Sequence, residues 1–339
     1  MKFVKIVTFL TLLIILISCG GNDKTSAPKD TPKKTEAAKS ALIANDGSVS
    51  VKMNFQGGEK YELIVSTDEK LTQEMQGEKQ SVSQLNTITY DLDLAMKAND
   101  LFSADIKFKR IQKSVDADAQ GKQSFDSQQK GDTKEMPPNV KILLDIIGKN
   151  YILIFNPLGR VKETLGADKM LQQIMAGVKE NDEVKKMISE ALKLEFGPDK
   201  LADFFEKLTN YTDSVPRKIG EKWTKVYSIE SGINLAVATT YEIAEIKDGQ
   251  IKINLKSQLN DKNKNRSKTI GEVVLKASIS GEQGGFILLD GTTGFINRSE
   301  VTQKIYVNET RSKKDDPSQS LTMKTTKEAK FTIISAKRK

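Results

Sequence analysis

Apolar residues recur at every second position in two long blocks of this chain, and that period constrains its fold more than any other feature. In the first block Val49, Val51, Met53 and Phe55 alternate with polar residues. Gly57-Gly58 breaks the run, and Tyr61, Leu63 and Val65 resume it. Ile88, Tyr90, Leu92 and Leu94 continue the pattern, Ile106 and Phe108 mark a further strand, and Val115 to Phe125 forms a polar hairpin around Gly121. Side chains alternate between faces along a strand, so this is the signature of antiparallel strands with one wet face. Thr67 to Ser83 holds too few suitably spaced apolar residues for a helix.

Between about residues 137 and 212 the period lengthens. Pro137-Pro138 leads into Ile142, Leu143, Ile146 and Ile147 with Gly148 behind them, a short helix with Pro at its entry and Gly past its end. Tyr151 to Phe155 is an apolar run of strand length. Three helices are then expected: one capped by Asp168; one whose face carries Val184, Met187, Ile188, Ala191 and Leu192; and, after Gly197-Pro198, one bearing the stripe Leu201, Phe204, Phe205 and Leu208.

The strand period returns after Pro216. Trp223, Lys225, Tyr227 and Ile229 share one face, and Asp248-Gly249 joins Tyr241–Ile246 to Ile251–Leu255 as a tight hairpin turn. Asn260 to Ser267 and Arg311 to Ser320 are expected as polar loops. Gly284-Gly285 is expected as a turn between Val273–Ile279 and Phe286–Leu289, and Asp290-Gly291-Thr292-Thr293-Gly294 as another before Phe295. The fold class these patterns predict is α+β: a large curved antiparallel sheet, partly closed like a barrel, with a central helical insert covering one face. A single β-rich domain spanning 41–339, with its insert at about 137–212, accommodates all of it.

The N-terminus carries a different message. Lys2 and Lys5 precede an oily run from Ile6 to Ile17 that is too short to span a bilayer, and Leu16-Ile17-Ser18-Cys19 follows it. This ending resembles the lipobox of bacterial lipoproteins. The resemblance implies a signal peptide over 1–18, cleavage between Ser18 and Cys19, and acylation, palmitate-type chains included, on Cys19, the only cysteine present. Residues 19–40 are rich in Lys, Ser, Thr and Pro and lack aromatic or branched aliphatic side chains, so they suit a flexible lipidated tether. Gly20 does not match the Asp that retains some enteric lipoproteins in the inner membrane, which favours the outer membrane in a diderm cell.

Gly220-Glu221-Lys222-Trp223 and Asp290-Gly291-Thr292-Thr293-Gly294 are similar to turns in uncharacterised families of bacterial lipoproteins and periplasmic proteins built on a large curved sheet. The layout resembles, more loosely, the lipoprotein-carrier fold. That resemblance implies helices plugging the concave face of an incomplete barrel, with acyl chains bound between, and it transfers no functional residue.

Chemistry is mostly ruled out by composition. With no histidine and Cys19 assigned to lipid, His-based triads and the usual zinc sites are unavailable. No phosphate-cradling glycine loop is present. Asp116-x-Asp118-x-Gln120-Gly121 opens like a calcium loop, but Ser127 stands where the bidentate Glu belongs, so a hairpin tip is the better reading. Asp91 and Asp93 fall on the wet face opposite Leu92 and Leu94. A net charge of +8, few arginines and 6% aromatics give a poor surface for nucleic acid. No cofactor, metal site or catalytic residue is expected. Two readings lead, with an enzyme third: a non-enzymatic, membrane-anchored binding protein holding an apolar ligand or lipid between sheet and helices, with Leu201, Phe204, Phe205 and Leu208 as candidate lining; or a structural or surface-interaction lipoprotein without a small ligand.

Overall fold

The computed structural model describes residues 42–117, 121–129, 138–229, 235–261 and 266–338. Residues 1–41, which hold the expected signal peptide, Cys19 and the expected tether, lie outside the described residues. The elements run β1 (Lys60–Met75), β2 (Glu78–Met96), β3 (Phe102–Ala117), β4 (Gly121–Asp126), α1 (Pro138–Asp145), β5 (Asn150–Phe155) and β6 (Val161–Leu165). Next come α2 (Ala167–Ala176), α3 (Asp182–Phe196), α4 (Pro198–Leu208), β7 (Lys222–Ile229), β8 (Leu235–Lys247), β9 (Gln250–Asp261) and β10 (Arg266–Ile270). β11 (Val273–Asp290), β12 (Ile296–Lys313) and β13 (Ser320–Arg338) complete the series.

Among the described residues, thirteen strands form one antiparallel sheet ordered β6-β5-β3-β2-β1-β13-β12-β11-β9-β8-β7, with β4 beside β3 and β10 beside β11. The expected antiparallel sheet and helical insert are present, but β6 and β7 are the ends of the path, so the sheet is open rather than partly closed, and the protein is largely β. Neighbours are mostly joined by tight turns. At Asp248-Gly249 both residues have positive φ, 50° and 72°, the geometry in which a two-residue turn matches strand twist. The longest-range pairing organises the rest: β13, at the far end of the chain, pairs with β1 along its whole length, from Lys60 opposite Arg338 to Met75 opposite Met323.

One face of the sheet carries the core. Tyr61, Leu63, Tyr90, Leu92, Phe108, Leu153, Phe155, Ile253, Leu289, Val301 and Phe331 are all buried on it. The helices lie over the β5–β6 end, α2 against β5 and α4 against β6. Phe205 packs on Phe155 with ring centroids 4.6 Å apart, and Phe196 on Phe108 at 5.8 Å.

Several local expectations are corrected. Val49 to Phe55 keeps its alternation, with Val49, Val51, Met53 and Phe55 buried, yet it is not a strand of the sheet. Its amides and carbonyls pair instead with separate loops, through Val49 N to Arg217 O, Asp213 N to Val51 O, Met53 N to Pro157 O and Asn54 N to Thr293 O. Asp168 lies in the first turn of α2 but does not cap it; Gly166 holds that position. In α3 the cap is Asn181, whose side chain accepts from Val184 N. The expected apolar face of α3 is only partly covered: Leu192 and Phe196 are buried, while Met187 is 64% exposed. Gly284-Gly285 is not a turn but the interior of β11, and β12 continues through Arg311 to Lys313 before its loop begins.

Candidate binding cleft

A small cleft of about 50 Å³ opens where the end of α4 meets the core face of the opposite half of the sheet. Its apolar lining comes from Leu208, Tyr241, Leu255, Ile287, Val301 and Ile333, and its polar lining includes Asn210, Thr239, Gln283 and Ser299. An apolar hollow with a few placed polar groups is the usual form of a small-molecule site. Several of those groups have partners: Thr239 and Ser257 share a 2.8 Å hydrogen bond, Ser299 donates to the Phe286 carbonyl at 3.1 Å, and Asn210 Nδ2 donates to the Tyr241 hydroxyl at 3.4 Å. Burial pushes the Tyr227 hydroxyl, also at the cleft, up to about 12, so it stays protonated and able to donate.

Thr239 and Gln283 belong to a longer polar row. Following the register across eight strands, Gln84, Glu69, Ala329, Gln303, Gln283, Ser257, Thr239 and Lys225 stand directly opposite one another in turn. Residues directly opposite in antiparallel strands project from the same face. On the α4 side of this seam the next row holds Phe331, Val301, Leu255 and Tyr241; on the other side lie Ile305, Leu259 and Val237. Glu69 is neutralised by Lys327, 2.7 Å away, and Lys225 Nζ donates to the Thr212 carbonyl. Burial first, then the nearby Arg160 charge, lower the Lys225 ammonium to about 8, with Asp213 opposing them.

The helix stripe divides. Leu208 lines the cleft. Leu201 and Phe205 are buried in the core away from it, and Phe204 is half-buried against Tyr90, ring centroids 6.1 Å apart. None of these three is among the residues that line the cleft. No local pattern marks the seam: seven of the eight strands add one polar residue to it within the alternation of their core face, and β13 adds Ala329.

The remaining candidates resolve simply. Asp116 lies at the end of β3, and β3 pairs with β4 as the expected hairpin; residues 118–120 lie outside the described residues. Asp91 and Asp93 are on the wet face, paired with Arg338 at 3.2 and 2.9 Å. Among the described residues no group of three or more His, Cys, Asp or Glu is placed to hold a metal. The wet face also has an open dish of about 690 Å³ floored around Gly284 and Thr302, with Asp68, Lys70, Lys256, Glu282, Lys304 and Glu328 around it. Its charges alternate across the strands, and Lys304 and Glu328 pair at 2.7 Å.

The fold and the cleft define an open antiparallel-sheet protein with a helical cover over one end of its core face. The chain belongs to a family of unknown function, DUF6263, whose model matches residues 99–296. No curated protein matches. Among solved structures it is similar to lipovitellin, described for its lipid–protein interactions, at TM-score 0.40 and 11% identity over 84% of this chain; the chain spans 25% of that one. It is also similar to an outer membrane channel from Pseudomonas putida F1, at TM-score 0.22 and 6% identity over 84% of this chain and 97% of that one. For OccK7 from Pseudomonas aeruginosa the values are 0.23, 4%, 83% and 100%. At such TM-scores nothing about function follows.

Proposed function

We propose that this protein is a non-enzymatic binding protein of the cell envelope, anchored through acylated Cys19, that takes up an apolar or amphipathic small molecule of lipid type at the cleft between α4 and the sheet. The observation that carries the reading is the cleft itself: apolar and polar side chains in near-equal share, drawn from six strands and the end of α4, the polar ones at defined places. The lipobox supports the anchor, and in a diderm cell the residue after Cys19 supports the outer membrane.

At about 50 Å³ the cleft is far below the roughly 300 Å³ at which small-molecule pockets begin, so loading requires the end of α4 to move off the sheet. The test is to purify the protein, extract it with organic solvent and identify by mass spectrometry what is released. Stoichiometric lipid that is lost when Leu208 and Leu255 are both replaced by Gln supports the reading; a protein that carries no lipid and takes up none from vesicles sinks it. The charged dish on the wet face favours a second reading, contact with another macromolecule without a small ligand, and that reading leads if the extraction is empty. For the anchor, Cys19→Ala should remain unprocessed and take up no labelled fatty acid.

A further inference from the structure

At the middle of the polar seam stands Gln303, 3% exposed, with neither Nε2 nor Oε1 hydrogen-bonded. Buried amides almost always have partners, because an unmet donor and acceptor in an apolar surrounding are costly. Gln303 lies directly across from Gln283, which lines the cleft, and on its other side faces Ala329. Along β11 the core-face positions on either side of Gln283 are Gly281 and Gly285. Two side-chain amides thus stand opposite one another on the core face, Gln283 in the cleft wall and Gln303 beside it.

The cations close to this point are paired with acids: Lys327 with Glu69 at 2.7 Å, and Lys207, which lines the cleft, with Asp203 at 2.6 Å. Lys225, whose ammonium donates to the Thr212 carbonyl, stands at the far end of the row, four strands from Gln303. Among the described residues, a carboxylate or phosphate held beside Gln303 and Gln283 would meet no cation there that lacks an acid partner, and burying an unpaired charge is far more costly than burying a neutral dipole. An ester, amide or hydroxyl would find in Gln303 both a donor and an acceptor.

Building on the proposed cleft, we infer that the ligand is an uncharged amphiphile: an acyl chain in the apolar cleft, joined through an ester or amide to a small polar group that the Gln303 and Gln283 side chains hydrogen-bond. Acyl glycerols fit this description; free fatty acids and phosphate-headed lipids do not.

The experiment uses the purified protein loaded with the fluorescent apolar probe N-phenyl-1-naphthylamine, displaced in turn by monoolein, oleate and dioleoyl phosphatidate. Monoolein should displace the probe at about tenfold lower concentration than either anion, the scale of one or two buried hydrogen bonds. Gln303→Leu should retain the probe, lose about tenfold in monoolein affinity and remove the selectivity. Its melting temperature should be unchanged or higher, since an unpartnered buried amide is replaced by an apolar group of similar size. A lower melting temperature with selectivity intact would assign Gln303 a structural role and overturn the inference. Equal displacement by all three lipids in the wild type would overturn it without any variant, while leaving the cleft in place. Failure of the probe to bind at all would instead remove the cleft reading on which it rests.

Discussion

Phe205 and Phe204 are neighbours in sequence with different work to do. Phe205 is 1% exposed and wedged against Phe155, so Phe205→Ala should cost about 3–5 kcal/mol in chemical denaturation through the cavity it leaves. Phe204 is half-buried against Tyr90, and its truncation should cost about 1–2 kcal/mol, in proportion to the apolar area it covers. Lys225 supplies a test by pH. Its folded pKa of about 8 lies below the roughly 10.4 of an exposed lysine, so between those values the unfolded chain binds more proton than the folded one. The unfavourable contribution of this ammonium is therefore present in full below pH 8 and is relieved as pH rises toward 10. Lys225→Met removes that term: the melting temperature of wild type relative to the variant should rise between pH 7 and pH 10. A difference that stays flat across that window would mean the ammonium is not desolvated.

At the scale of elements, β11 shows why a glycine pair need not be a turn. A Cβ on Gly285 would lie 2.0 Å from the Glu300 carbonyl oxygen, and one on Gly281 2.5 Å from that of Lys304, so β12 approaches β11 too closely on the core face for any side chain there. Gly284 projects to the wet face, where the nearest atom to an added Cβ is 4.0 Å away. Gly285→Ala should therefore destabilise by about 1–3 kcal/mol or more, as overpacking does, while Gly284→Ala should fall within about 0.5 kcal/mol of wild type in parallel urea melts. Equal effects at the two positions would contradict the assigned facing. The stripe on α3 makes the complementary point: a helical period marks a face able to be buried, but Met187 remains in water while the neighbouring Ile188 packs against the core.

In the whole molecule, β13 holds the two flanks together. It lies between β1 and β12, and the matched family segment, 99–296, contains neither β1, β2 nor β13. A chain ending at Gln319 would leave β1 paired only with β2 and β12 only with β11, the sheet cut in two between them; it should lose cooperative melting and be digested by trypsin under conditions the full chain survives. Pairing between Lys60 and Arg338 also makes folding depend on distant contacts, so refolding should be slow, in the millisecond-to-second range or beyond. What the sequence alone determined was the local menu. The period of two set most strands, the period between three and four set the helices, and Asp248-Gly249 set a hairpin, because each depends on side-chain spacing or φ preference within a few residues. Which strand lies beside which was decided only by the tertiary structure: Val49 to Phe55 alternates as a strand does but is held by loops, and the edges of the sheet remain open. The seam was equally invisible, since Gln84, Glu69, Gln303, Gln283 and Thr239 become neighbours only through strand order and register, which long-range packing fixes and no stretch of sequence contains.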